Sequence, residues 1–511
     1  MAKVYSSRLS EYTHENGGRV LLLFLLFALA IYEFITAGFN AFAIVCMIPA
    51  VILFCYIAFK WKMAVFWALI FVNWFIMNRN FDIPFPKSLA DELLELVLIA
   101  LAIIDIRYTP HFGRAWNFML FAVSIWFGLC FLEILNDTCG LGINVNAWFT
   151  GIRLMALHFV WIILVFSLYI STPQRLIWYL RVWAGLSLFS AFYTWKMKTF
   201  GFTDTEHAWL YTYGYSTHIL NGGSLTRYFS TFNDAATYGC NASASAIAFL
   251  VFGITSKQKI DKVFFLLTTA IVYWGMLQSG TRTAMITFIA GFIVFLFLSK
   301  SVKILVPSAI LGGIFLFILM FTNIGNSNQQ MRRMRTAFQF ERKDASANVR
   351  DINKAAISKY MKDAPWGIGI GMMDENIPAW NKFKKLSQIP PDSEYVFIWV
   401  RTGIIGVSIF ALSMILMFLG GCYIVLFKLK NQSLVGIGGG MCCAFVSIQL
   451  GGYANQVLYL YPNGLTFFGA MAIVYVLPYI EPEWIKYEES RLAKQEERKR
   501  LKLEKKLASR V

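Results

Sequence analysis

Apolar and polar positions alternate along this chain in long blocks, not in the short periods of an amphipathic helix or a half-buried strand. Runs of roughly 17 to 25 apolar residues cross a bilayer as an α-helix. Such runs can be marked at 20–39, 41–59, 62–77, 90–106, 115–135, 149–170, 174–195, 234–254, 262–279, 283–299, 303–322, 394–427, 433–452 and 463–480. The pattern predicts an all-α polytopic membrane protein of about 14 transmembrane helices, within a range of 12–14. An even number puts both termini on one side.

Composition agrees. Of 511 residues, 58% are hydrophobic and the mean hydropathy is +0.57, more apolar surface than a soluble fold of this length can bury. The net charge of +17 would suggest nucleic acid as a partner of a soluble protein. In a polytopic chain it reads as the excess of Lys and Arg on cytoplasmic loops, and no nucleic acid is expected. With the N-terminus in the cytoplasm, every short inside connection carries a basic residue: Lys60 and Lys62, Arg107 and Arg114, Arg175, Lys257, Lys300, and Lys428. The C-terminal tail then lies inside as well.

This orientation divides the chain into helices 1–11 (1–322) with an external loop at 196–233, a large external loop at 323–393, helices 12–14 (394–480), and a cytoplasmic tail of mixed charge (481–511). The loop 323–393 holds Arg332, Arg333, Arg335, Arg342 and Arg350, which break the positive-inside pattern. Long loops are exempt from that pattern, and so many guanidinium groups on one loop suggest an anionic ligand such as a diphosphate.

Three arginine-bearing patches fall on the external side. Arg227-Tyr-Phe-Ser-Thr-Phe-Asn-Asp234 ends at the mouth of the eighth span, Ser279-Gly-Thr-Arg-Thr-Ala284 joins the ninth to the tenth, and the long loop carries Arg350. A lone interfacial Arg snorkels to headgroups; three on one face point to a shared ligand. Farther on, Pro365-Trp-Gly-Ile-Gly-Ile-Gly371 reads as a tight turn and not a nucleotide loop, because no strand precedes it. Asp392-Ser-Glu-Tyr395 leads into the twelfth span, where Asp392 is either a general base or the cap of the following helix. Trp209, Tyr211, Tyr213 and Tyr215 could stack on sugar rings or belong to an interfacial aromatic belt. Arg153 and His158, inside the sixth span, form a pair of the kind that is functional by default in a membrane, unless Arg153 simply reaches water. The eight cysteines and five histidines show no metal-site spacing, so no metal and no cofactor is expected.

In this order, Arg227 with Phe232-Asn-Asp234, Ser279-Gly-Thr-Arg, Arg350, the glycine series to Gly371, Asp392-Ser-Glu-Tyr395 and Arg401-Thr-Gly-Ile-Ile-Gly406 resemble the O-antigen ligase and polymerase superfamily over about 225–410. These are membrane glycosyltransferases of the GT-C type. The resemblance implies a glycan donor on undecaprenyl diphosphate, a glycan acceptor and metal-independent inverting transfer on the periplasmic side of the bacterial inner membrane. A chain-length regulator is a further implied partner. By position, Arg227, Arg282 and Arg350 would bind the diphosphate with Tyr395 nearby, and Asp392 or Glu394 would take the acceptor proton. Ligases of the family typically carry a His where this chain has Asp392, which tilts the reading toward a polysaccharide polymerase. A ligase acting on lipid A-core and an O-linked protein oligosaccharyltransferase remain alternatives. A lipid-linked oligosaccharide flippase is the rival from another class, although flippases do not gather charge in one external loop.

Overall fold

The computed structural model describes residues 17–37, 39–77, 88–105, 112–220, 223, 225–322, 329–335, 338 and 345–508. It is 82% helical, and the described residues contain one sheet, a two-stranded ribbon pairing Ile219–Leu220 with Leu225–Thr226.

The chain divides into two units, 1–68 and 69–511. In the first, α1 (Gly17–Ala37) and α2 (Phe39–Lys60) pack against each other; α3 (Lys62–Phe71) runs across the boundary. The second unit holds α4 (Ser88–Ile104), α5 (Phe118–Leu132), α6 (Val145–Ile152), which runs through a π turn into α7 (His158–Tyr169), and α8 (Pro173–Phe200). There follow α9 (Ala235–Thr255), α10 (Lys259–Gln278), α11 (Arg282–Leu298), α12 (Val302–Phe321), α13 (Ala345–Met361), α14 (Glu394–Tyr423), α15 (Gln432–Ala454) and α16 (Gly469–Ala508).

Each of the fourteen predicted segments falls on a helix, yet only eight of the described helices are long and apolar enough to cross a membrane on their own, or nine if one bent pair counts as a single span. The difference has local causes. Helix α4 carries Asp91, Glu92 and Glu95 in its first half, and α11 has only 17 residues. Apolar composition marks a helix as buried in lipid or protein; it does not set its length.

Helix α9 is the centre of the second unit and packs against α10, α11 and α15. Its sequence is rich in Ala, Ser and Gly, which lets helix backbones approach closely where lipid supplies no hydrophobic drive. A methyl group added at Gly239 would lie 2.4 Å from Ser279 Oγ. Hydrogen bonds also tie α9 to its surroundings: Ser243 with Thr287 of α11 at 2.9 Å, Trp183 Nε1 of α8 to Ser245 Oγ at 3.0 Å, and Asn241 Nδ2 to Asn463 Oδ1 at 2.8 Å. This packing fixes the ends of α9, α10, α11 and α15 side by side, and the site lies at those ends.

The long loop is anchored, not draped. The strip after α13 pairs with a break in α14: Ile368 N–H donates to Val400 O and Gly369 N–H to Arg401 O, both at 3.0 Å. Gly403 (φ +66°) and Gly367 (φ +77°) make this possible, since a methyl group on Gly403 would sit 1.8 Å from Pro365 O. The glycine series is thus a backbone-to-backbone splice in which the amides of Ile368 and Gly369 are spent on helix carbonyls. Gly403→Ala is expected to cost about 1–3 kcal/mol and to release the loop. Thermal unfolding in detergent and faster proteolysis within 345–393 would show it; unchanged values of both would count against the splice.

Candidate active site

One cavity of about 660 Å³ opens where these helix ends meet, and it collects residues from six separate stretches of sequence. Arg227, Arg282, Arg333 and Arg350 line it together with Asp234 and Asp392. Four guanidiniums against two carboxylates leave an excess of two positive charges.

Arg227 leaves the β-ribbon and is held by three acceptors: Nε donates to Ser279 O at 3.2 Å, Nη1 to Thr217 O at 2.8 Å and Nη2 to Thr281 Oγ1 at 3.0 Å. Gly280, in the left-handed conformation at φ +59°, turns α10 into α11 directly beside it. The carbonyl of Gly280 accepts from Arg333 Nε at 2.8 Å. Burial, then the cations Arg333, Arg350 and Arg282, push the Arg227 guanidinium down to about 10, against the pull of Asp234. It stays protonated at neutral pH, and an entering anion relieves the repulsion.

Arg282 is the first residue of α11, so its charge adds to the positive end of the helix dipole. Arg350, on α13, donates from Nη2 to Asn455 Oδ1 at 3.1 Å. Three residues along the same helix, Asn353 Nδ2 donates to Asp392 Oδ2 at 2.9 Å. Asp234 is committed to capping α9, accepting from the amides of Ala236 and Thr237 at 2.6 and 2.9 Å.

The cap of α14 is Ser393, whose Oγ accepts from Val396 N–H at 3.3 Å. Asp392 therefore does not serve as the cap, and its carboxylate faces the cavity. Glu394 lies elsewhere: it is buried, and Oε2 accepts the backbone amides of Val457 and Leu458, each at 2.8 Å. Tyr395 is also outside the cavity lining, with its hydroxyl 3.4 Å from Gln449 O and its ring against Phe410.

His218 lines the cavity but is fully occupied. Its Nε2 accepts Ala235 N–H at 3.1 Å and its Nδ1 faces Gly214 O at 3.1 Å. Burial and then the nearby Arg227 charge lower its pKa to about 4, so it is neutral and structural at neutral pH. Tyr211, Tyr213 and Tyr215 are exposed, whereas Trp209 packs on Phe229 and His218.

Sequence reasoning named Arg333 only as one of five loop arginines and missed Asn353 and Asn455 altogether. Arg342, from the same list, lies outside the described residues. Sequence reasoning also named Arg153 and His158 but missed the buried α4 carboxylates they meet: His158 Nδ1 lies 3.1 Å from Glu95 and Nε2 lies 3.7 Å from Asp91. Arg153 lies 3.4 Å from Glu92, so it pairs within the protein. A scan for histidine or cysteine pairs cannot find a lone His joined to two carboxylates four residues apart on another helix.

The class these features define is a polytopic α-helical membrane protein with a cavity at one end of its central helices, lined by four arginines and two aspartates. Residues 263–411 match the model of the O-antigen ligase family, a similarity that supports the resemblance to the O-antigen ligase/polymerase superfamily. The match includes Arg282, Arg333, Arg350 and Asp392; Arg227 and Asp234 precede it. No curated protein matches the chain.

Proposed function

We propose that this protein is a polysaccharide polymerase, transferring a glycan from an undecaprenyl-diphosphate donor to a sugar hydroxyl at the periplasmic face of the bacterial inner membrane. The observation that carries this reading is the one cavity shared by Arg227, Arg282, Arg333, Arg350 and Asp392. Its excess of two positive charges complements a diphosphate diester.

In the reaction, the acceptor oxygen attacks the anomeric carbon from the face opposite the diphosphate, so the configuration inverts. The carbon–oxygen bond to the diphosphate breaks, and both bonding electrons leave with the phosphate oxygen, whose growing charge faces the guanidiniums. The hydroxyl proton passes to Asp392. Glu394, tied to two backbone amides, takes no part.

A second feature supports a lipid-linked donor. An apolar groove of about 420 Å³ lies between α9, α10, α11 and α12, lined by Leu250, Phe288, Phe292 and Phe315 among others. Helix α11 joins it to the cavity: Phe288 and Phe292 follow Arg282 by six and ten residues, about 9–15 Å along the axis at the helical rise. Such a groove suits an isoprenoid chain whose diphosphate sits at Arg282.

Polymerase and ligase are separated by the product lost on deletion. Single repeats attached to lipid A-core are expected for a polymerase. Long unattached chains would instead mean a ligase, and loss of glycan from proteins alone would mean protein glycosylation.

A further inference from the structure

The polar group on α4 carries chemistry that the transfer reaction does not use. Asp91 and Glu95 lie one helical turn apart on the same face and are completely buried. His158 faces them from α7, and Asn73, also completely buried, donates from Nδ2 to Asp91 Oδ2 at 3.0 Å. Asn73 and Arg153 each sit in a five-residue π turn, a widened turn common at functional sites.

Two observations point to a cation site. Glu92 pairs with Arg153, which leaves Asp91 and Glu95 as two buried carboxyl groups with one imidazole between them. In addition, Asp91 Oδ1, Glu95 Oε1 and the carbonyl oxygen of Asn73 are buried with no hydrogen-bond donor among the described residues. An imidazolium has two N–H groups, and both would already be directed at Asp91 Oδ2 and Glu95 Oε2. It would leave those three oxygens bare, each at the cost of an unsatisfied buried acceptor. A metal ion coordinates several oxygens at once and balances both carboxylates when they ionise to bind it.

We propose that Asp91, Glu95 and His158, with Asn73 beside them, hold one divalent metal ion. One ligand atom from each of the first three lies within 4.8 Å of the others, a spread that one ion can span. Two carboxylates with an imidazole suit a transition ion that takes oxygen and nitrogen together, borderline Zn²⁺ or the harder Mn²⁺, over Mg²⁺ or Ca²⁺, which prefer oxygen throughout. The ion ties α4 to α7, whose continuation α6 packs Gly151 against Ile370 of the loop splice. Its role is structural and independent of the glycosyl-transfer reading.

The test uses the full chain purified in detergent, stripped with a chelator and titrated separately with Zn²⁺ and Mn²⁺, with bound metal measured by plasma mass spectrometry. The expected result is one tightly held ion per chain, with affinity at least about tenfold weaker in Glu95→Gln and in His158→Ala, and unchanged in His207→Ala at an exposed histidine. If those variants fail to fold, wild-type protein decides alone: its thermal midpoint should drop on stripping and recover with Zn²⁺ or Mn²⁺. Wild-type protein that retains no ion, or His158→Ala that binds like wild type, overturns the site and leaves an imidazolium bridge.

Discussion

Arg282→Ala is expected to abolish glycan chain extension in cells while the protein inserts normally and its lipid-linked single repeats accumulate. The side chain stands at the first residue of α11, where helix dipole and guanidinium both face the cavity. A fixed donor aimed at charge that grows in the transition state is worth about 10²–10³ in rate, and water admitted by the truncation screens the remaining arginines. Arg282→Lys keeps the charge but not the planar fork, and an intermediate rate is expected. Gel profiles of surface glycan, beside quantification of the donor pool, provide the measurement. Normal chain lengths in Arg282→Ala would remove this residue from the site.

Asp392→Asn is expected to lower kcat by about 10²–10⁴, the usual contribution of a general base, with little change in donor KM. The amide preserves shape and can still meet Asn353 after a flip, so the loop stays seated. A positioning role predicts a different pattern: KM would rise, kcat would hold, and Asp392→Asn would resemble Asn353→Ala. Glu394→Gln separates the two acids of the motif. Glu394 binds backbone amides of Val457 and Leu458, so its loss should reduce thermal stability more than the rate of the folded fraction.

Hydrophobic blocks made the helices legible, because a run of apolar residues bounded by charges has few alternatives in a membrane. They did not reveal which helices span alone: α4 looks apolar in its second half, yet its first half is a buried acidic face. Arg227 and Arg282 stood out because each is a charge at the edge of a long apolar run. Arg333 did not, since five arginines on one irregular loop have no period to rank them. Asp392 and Glu394 are indistinguishable as letters; burial and the Ser393 cap separate them. Gly367 was visible as a turn residue, whereas Gly403 fell inside a predicted span, and their contact joins positions 36 residues apart, which no local pattern encodes.

The central claim is that guanidiniums from separate segments grip one lipid diphosphate. The most direct measurement is glycan transfer in proteoliposomes containing only the purified chain, a defined undecaprenyl-diphosphate oligosaccharide and its acceptor. The account predicts elongated product with release of undecaprenyl diphosphate, no requirement for a nucleotide sugar, and loss of donor binding when Arg227 and Arg282 are both replaced by alanine. Donor binding of wild-type strength in that double variant would contradict it.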